Sequence, residues 1–448
     1  VLSNALILSE EQEEAVDYLY SCDYALLLAG TGVGKTIITL TTIRDLIKDK
    51  HLNKVIVACP AKVVSGWAKE VDKWGFDLKL YAGTGEKFLA SIPLDYDVIV
   101  TSYESLPKLL NTKHAADGIV FDEVTRLKET GGKIARSVNR HIKAFKWRIG
   151  LSATPLSESW ESVYGITKVL DLGERFGKNK ERFYMTYFNQ LDYKGYKFAV
   201  KPEKIDEITQ KFYEFTYIIG DESKRDKIKE PIQLPDKVIS LATEIEDLQN
   251  ELINDEIIID GDSVVISTNA AVLSGKLRQL SQGFVYYNDG SVKWVSDYRV
   301  RVFIELIKDK LKNGAVVATY EYSPILDKVS ELIDIPFDVI NGSTTKDAFN
   351  KTIKKWRVGR GKLLLLQVRA GSHGLDGLQM SSYQMLHFAP IWSRDATIQL
   401  EGRLDRTGQT QQVEIQTIMV EGSIDYSVKN RVIDKGNIFT DFINRIRG

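Results

Sequence analysis

Leu26-Leu27-Leu28-Ala29-Gly30-Thr31-Gly32-Val33-Gly34-Lys35-Thr36 is an apolar run, a glycine-rich turn and a Lys-Thr pair that opens an amphipathic segment. Ala29, four residues, then Gly34-Lys35-Thr36 is the spacing of a phosphate-binding loop, with Ala at its first position. The chemistry explains the residue types. Glycines let backbone N–H groups converge on phosphate oxygens, Lys35 reaches the β- and γ-phosphates, and the Thr36 hydroxyl is a ligand for Mg²⁺. The helix that follows turns its positive N-terminal end toward the same anion. A flexible glycine turn would not require the Lys-Thr. An NTP site built from Gly30, Thr31, Gly32, Val33, Gly34, Lys35 and Thr36 is expected.

Outward from this loop, short apolar runs alternate with helix-like segments. The runs are 25–29, 55–59, 98–101, 119–121 and 148–151, and the helical patterns between them are 37–49, 65–74 and 133–145. The runs are continuous rather than alternating in polarity, as strands buried on both faces of a parallel sheet are. The fold class is therefore α/β with right-handed crossovers. The rhythm returns after Arg299, with strands expected at 315–319, 337–340, 363–368, 385–388 and 413–420. Helices are expected at 302–312, 324–333, 345–357 and 396–406. This second half has no phosphate loop. The expected division is 1–160, a nucleotide-binding lobe; 161–298, a mostly helical insertion and linker; and 299–448, a second lobe.

The middle segment has its own texture. Residues 178–230 are rich in Lys, Glu and aromatics, with Phe183/Tyr187 and Tyr184/Phe188 at helical i,i+4 spacing. Core packing is the favoured reading of these rings over base stacking. Pro231 and Pro235 are expected to bracket a linker, and Leu273, Leu277 and Leu280 form a helical stripe.

At 448 residues the chain is too long for one ordinary core. Its formal net charge of −1 requires any nucleic-acid surface to be a local patch. Cys22 and Cys59 lie beside apolar stretches and read as buried free thiols. The five histidines show no metal-ligand spacing. No run approaches the roughly 18 to 20 apolar residues of a membrane span, so no membrane partner is expected. No signal-peptide pattern opens the chain, which begins at Val1.

The remaining chemistry sits at the ends of the predicted strands. Gly118-Ile119-Val120-Phe121-Asp122-Glu123 ends in two carboxylates. Downstream of a phosphate loop, Asp122 suits Mg²⁺ and Glu123 suits polarising the attacking water. Leu151-Ser152-Ala153-Thr154-Pro155 ends another strand. Ser152 and Thr154 are placed either to couple nucleotide state to the Asp122/Glu123 region or simply to make a polar turn. In the second half, Gln399, Arg403 and Arg406 share a face of the predicted helix. Arginines from a lobe without its own loop suit the γ-phosphate, and such a finger contributes about 10³–10⁵ in rate. Asn341-Gly342-Ser343-Thr344-Thr345 precedes a helix and fits either a bound phosphate or ordinary N-capping.

These blocks, in this order and over nearly the whole chain, resemble a superfamily two helicase, specifically the SWI/SNF-type ATPases. Ala29–Thr36 resembles motif I. Val57–Lys62, with Trp67 and Trp74 after it, resembles Ia, and Val100–Glu104 resembles Ib. Asp122–Thr125 resembles motif II and Leu151–Pro155 motif III. Ala315–Tyr320 resembles IV, Arg369–Gly371 through Asp376 resembles V, and Gln399–Arg406 with Gly408-Gln409 resembles VI. Lys276–Leu280 resembles the segment that links that family's lobes. Val124-Thr125 stands where Ala-His is usual, and Ser372-His373 where Gly or Ala is commoner.

The resemblance implies two RecA-like lobes in tandem that hydrolyse ATP with Mg²⁺ in the cleft between them, and nucleic acid, most often duplex DNA, as partner. It implies Glu123, Lys35, Arg403 and Arg406 as catalytic groups and Thr36 and Asp122 as metal ligands. Gln12, Asp376 and Gln399 are implied to join the loop in binding ATP. Lys62, Ser102, Ser343, Thr344 and Arg369 are implied to touch the nucleic-acid backbone. Without reader-like segments, the chain looks like a compact phage, viral or bacterial member, expected to be monomeric and to act in the cytoplasm or wherever the DNA is. A duplex-DNA translocase is the leading reading. A strand-separating DNA or RNA helicase and an ATP-switched binding module remain open beside it.

Overall fold

The continuous apolar runs fold as strands with no exposed face. The computed structural model describes residues 8–30, 32–112, 114–153, 159–193, 198–219, 228–233, 257–259, 262–264, 270–287, 289–371, 375–406, 408–420 and 422–431. The chain divides into two compact units, the second beginning at Arg225.

The strands of the first unit are β1 (Tyr24–Ala29), β2 (Val55–Cys59), β3 (Leu80–Gly83), β4 (Val98–Ser102), β5 (Gly118–Asp122), β6 (Trp147–Ser152), β7 (Phe188–Gln190), β8 (Phe198–Val200) and β9 (Thr216–Ile219). Seven of them form one sheet in the order β3-β4-β2-β5-β6-β1-β9. Every neighbouring pair is parallel. All residues of β2, β4, β5 and β6 are buried. Successive side chains alternate between two apolar layers. Leu26, Leu28, Ile56, Ile119 and Phe121 face one layer, and Leu27, Ala29, Val55, Val57 and Val120 face the other. With helices covering both faces, ligand chemistry falls to the carboxyl ends of the strands, where β1, β2, β4, β5 and β6 end in the sequence blocks singled out above.

The strands of the second unit are β10 (Ile228–Gln233), β11 (Ile257–Ile259), β12 (Asp262–Val264), β13 (Phe284–Tyr286), β14 (Val292–Trp294), β15 (Val316–Tyr320), β16 (Asp338–Ile340), β17 (Leu363–Gln367), β18 (Gln384–His387) and β19 (Glu414–Met419). Six of them form a second parallel sheet, β10-β19-β18-β15-β17-β16. Trp356 packs in one of its apolar layers, and Phe284 and Phe303 in the other. Two parallel-sheet lobes covered by helices are the RecA-like architecture expected. Among the described residues, no helix is long and apolar enough to cross a membrane.

Three expectations require correction. First, the region after residue 160 does not stand apart from the first lobe. Phe183, Tyr187, Phe188, Phe212 and Phe215 are buried in the same apolar layer as Phe121. β9 pairs with β1, Leu26 against Thr216 through Ala29 against Ile219. Apolar burial pulled these elements onto the first sheet, and the division between units falls at Lys224/Arg225 rather than at 160/161 and 298/299. Second, Pro231 is not in a linker. It lies in β10, which is the edge strand beside β19, where a missing N–H is tolerated; Pro235 lies outside the described residues. Third, the helix expected at 396–406 runs Arg394–Glu401. Gly402 caps it, and Arg403 and Leu404 bond back three residues to Leu400 and Glu401 in a turn. Glycine's low helix propensity allows the break.

Candidate functional site

β1 delivers the loop after Ala29 to the carboxyl edge of the first sheet. Gly32 and Gly34 have φ of 81° and 103°. A side chain is strained there, so glycine is required rather than merely tolerated. Gly34 is the left-handed N-cap of the helix Lys35–Lys48. Lys35 Nζ donates to the carbonyls of Ala29 (2.8 Å) and Gly30 (3.1 Å), which folds the ammonium back over its own loop. Thr36 is half-buried in the first turn. Thr31 lies outside the described residues.

β5 brings Asp122 to the same edge. Its carboxylate is buried at 8% exposure and accepts a hydrogen bond from Trp67 Nε1 at 3.2 Å. Burial pushes its pKa up, and the positive charge of Lys35 pulls it down. The loops after β1 and β5 thus share one electrostatic site. A cation would relieve the buried carboxylate. A hydroxyl and one carboxylate suit Mg²⁺, which is commonly shared with substrate phosphates. Glu123 follows in a left-handed backbone conformation, φ 58° and ψ 57°.

Gln12, implied to bind adenine, is held by both ends of its amide. Nε2 donates to Val33 O at 2.7 Å, and Oε1 accepts from the Ser9 N–H at 3.0 Å. Ser9 and Gln12 form a capping box on the helix Glu10–Ser21. This ties the helix directly to the phosphate loop. Ser152 is buried at the end of β6, and Thr154 lies outside the described residues. Lys62 is exposed after β2. Ser102 is not presented for contact. It is 2% exposed and its hydroxyl donates to Ser105 Oγ at 3.2 Å. The serine closes the turn from β4 into the helix Leu106–Leu110.

In the second unit, Arg403 and Arg406 converge on one carbonyl. Their Nη1 atoms donate to Leu375 O at 3.0 and 3.5 Å. Asp376 sits between Arg406 (3.0 Å) and Arg357 (3.3 Å). Gln399 Oε1 is buried with no hydrogen-bond partner among the described residues. The helix break after Glu401 therefore replaces the single helical face with a turn that gathers both arginines at the 375–376 segment. The loop before the helix Lys346–Arg357 is closed on Asn341. Its Oδ1 accepts from the hydroxyls of Ser343 (2.9 Å) and Thr344 (3.0 Å), while Thr345 caps Ala348 N.

Arg369 is exposed beside a recess of about 320 Å³ that Arg278, Glu321, Trp392 and Ser393 also line. Glu321 pairs with Arg278, which lies 5.3 Å from the Trp392 ring. Burial raises the Glu321 pKa against the pull of Arg278 and Arg369.

Residues 11–243 match the model of the SNF2-related domain. The chain belongs to the SNF2-related family. Protein p41 of Acyrthosiphon pisum secondary endosymbiont phage 1 is 23% identical over 452 residues, 94% of either chain. Nuclear protein STH1/NPS1 of Saccharomyces cerevisiae is 23% identical over 445 residues, 91% of this chain and 32% of the yeast protein. The ISWI chromatin-remodeling complex ATPase ISW1 of the same yeast is 21% identical over 452 residues, 90% of this chain and 37% of that protein. The chain thus spans nearly the whole phage protein and about a third of the yeast ones. The solved Sulfolobus solfataricus SWI2/SNF2 ATPase core in complex with dsDNA aligns with 98% of this chain and 94% of its own, at 20% identity and a TM-score of 0.45.

Reading this SNF2-related sequence alone left two supports of the site without roles. Trp67 stood in a motif but had no assigned partner, and it donates to Asp122 from a helix 55 residues earlier. Tyr103 stood in another, and its hydroxyl donates to the Asp122 carbonyl at 2.9 Å. The only signal in the sequence was a large aromatic with a polar atom, just past a strand end for Tyr103 and in the helix after β2 for Trp67.

Proposed function

We propose that this chain is an ATP-driven motor on duplex DNA that hydrolyses ATP to ADP and phosphate as it moves. The observation that carries the reading is the placement of the Lys35 loop and a buried Asp122 at the carboxyl ends of β1 and β5 in one sheet, with Gly32 and Gly34 in left-handed backbones. Membership of the SNF2-related family supports the same reading, as does the ATPase named in one relative. On this reading the loop from Gly30 to Thr36 and Gln12 hold ATP, and Thr36 and Asp122 hold Mg²⁺. The cation would neutralise phosphate charge that develops during transfer. Glu123 accepts a proton from the attacking water. Arg403 and Arg406 stabilise phosphate charge, and Gln399 and Asp376 join in binding ATP.

Lys62, Ser343, Thr344 and Arg369 are proposed to meet the DNA backbone. Contact of that kind carries little sequence preference and weakens with salt, log K falling by about 0.9 per log unit for each phosphate neutralised. The test is steady-state ATP hydrolysis with duplex DNA, single-stranded DNA or RNA, alongside triplex displacement and strand separation. Duplex stimulation with triplex displacement and no strand separation is expected. Stimulation by RNA alone would overturn the duplex-DNA reading, and robust strand separation would favour a helicase.

A further inference from the structure

Glu123 occupies a backbone region that a residue with a Cβ enters only where its surroundings over-determine it. Those surroundings are specific. Tyr103 has no exposed surface, and its hydroxyl donates to the carbonyl of Asp122 at 2.9 Å and reaches that of Glu123 at 3.3 Å. The carbonyl of Glu123 also accepts from Arg126 N at 3.1 Å. Arg126 in turn pairs with Glu104 at 3.4 Å and lies 5.7 Å from the Tyr103 ring. Tyr103 and Glu104, adjacent at the end of β4, therefore grip the turn after β5 at two points, its carbonyls and its arginine.

Beyond that turn the chain is confined as well. Gly165, in the helix Ser162–Asp171, comes so close to the Lys128 carbonyl that a Cβ on the glycine would sit 2.0 Å from it. The turn is thus held from β4 on one side and from this helix on the other.

We infer that Tyr103 is a positioning residue that sets the backbone of Glu123 and so aims its carboxylate. The hydroxyl acts through backbone carbonyls and touches no reacting atom, so its role is geometric. The inference rests on the reading of Glu123 as the base.

The test compares Tyr103→Phe, Glu123→Gln and the double variant in the full chain, by steady-state ATP hydrolysis with saturating duplex DNA. Tyr103→Phe keeps the buried ring and removes only the donor. A misaimed base lowers kcat by about ten-fold, because small displacements of a catalytic group are costly. KM for ATP stays within about two-fold, because the loop that binds it is untouched. In the Glu123→Gln background the same substitution has no further effect on the residual rate, since a positioning residue acts only through the group it positions.

Full kcat in Tyr103→Phe while Glu123→Gln is inactive overturns the inference and leaves the base in place. Wild-type turnover in Glu123→Gln overturns the base itself. Parallel losses of kcat, ATP binding and thermal stability, additive with Glu123→Gln, would make Tyr103 a packing residue only and also overturn the inference. Should Tyr103→Phe fail to fold by circular dichroism, Glu104→Gln reads the second grip. It is expected to lower kcat at unchanged KM, and a wild-type kcat there refutes the inference.

Discussion

Replacing Arg299 with Met is expected to loosen the second unit at the strand ends that lead toward Arg403. Arg299 is 4% exposed, and its guanidinium serves four acceptors. Nε donates to Phe388 O at 2.9 Å, Nη1 to Ser281 O at 2.7 Å and Nη2 to Ile418 O at 2.7 Å. Nη1 also pairs with Asp425 at 2.9 Å, and that carboxylate is itself 4% exposed. Methionine preserves much of the stem and removes every donor. Asp425 keeps the Val420 N–H and the Ser281 hydroxyl, but its buried charge loses its counter-ion. Breaking one side of a buried pair costs about 3–5 kcal/mol. Carbonyls left without a donor add to this, and local repacking subtracts from it.

Hydrogen exchange reads this locally, because protection in the β18 and β19 peptides reports the opening free energy of that region. A loss of that size speeds exchange there by about 150- to 5,000-fold. Peptides from β2 and β5 in the first unit should be unaffected. Adding Asp425→Asn removes the stranded charge and should recover more than half of the loss. Exchange within about five-fold of wild type would refute the argument, since it would mean that the strand ends hold without the arginine. A double variant no better than the single one would show that the buried charge is not what the substitution exposes.

Gly34→Ala forces a Cβ into a backbone with φ of 103° and to within 2.6 Å of Gln12 Nε2. Strain of about 1–3 kcal/mol predicts ATP affinity lower by about 5- to 150-fold in a fluorescent-nucleotide titration, and unchanged affinity would show that the loop tolerates a side chain. Glu207 is held down to about 2 by hydrogen bonds from Lys204, Lys211 and Tyr187. Because its folded pKa lies below the ordinary value of about 4.3, its contribution to stability is present above that value and is lost as pH falls toward about 2. The difference in Tm between wild type and Glu207→Gln should therefore shrink across that window, and a difference independent of pH would remove Glu207 as an anchor.

The first lobe was readable because its signals are local. A strand buried on both faces is a nearly continuous apolar run, as in 55–59 and 98–101, which fold as the strands Val55–Cys59 and Val98–Ser102. Gly34 carries its reason within one residue, a positive φ that only glycine enters easily. The alternation of runs and helices is enough for two parallel sheets, with Asp122 and the phosphate loop at carboxyl ends.

What the tertiary structure decided depends on partners distant in the chain. Thr216–Ile219 is too short to declare itself amid aromatic residues, and β1 makes it a strand. Pro231 reads as a break until an edge position in the sheet accommodates it. The helix carrying Gln399 stops at Glu401, and the turn beyond it brings Arg403 to Leu375 O. Tyr103, Trp67 and Arg299 look in sequence like an ordinary aromatic pair and a surface base. Their roles arise from hydrogen bonds to buried groups across the fold. Covalent neighbours dictate backbone preference and burial pattern, so the sequence by itself determined the sheets and the loop chemistry. Only folding pairs buried donors with distant acceptors, so the tertiary structure decided how those chemical groups are held and aimed.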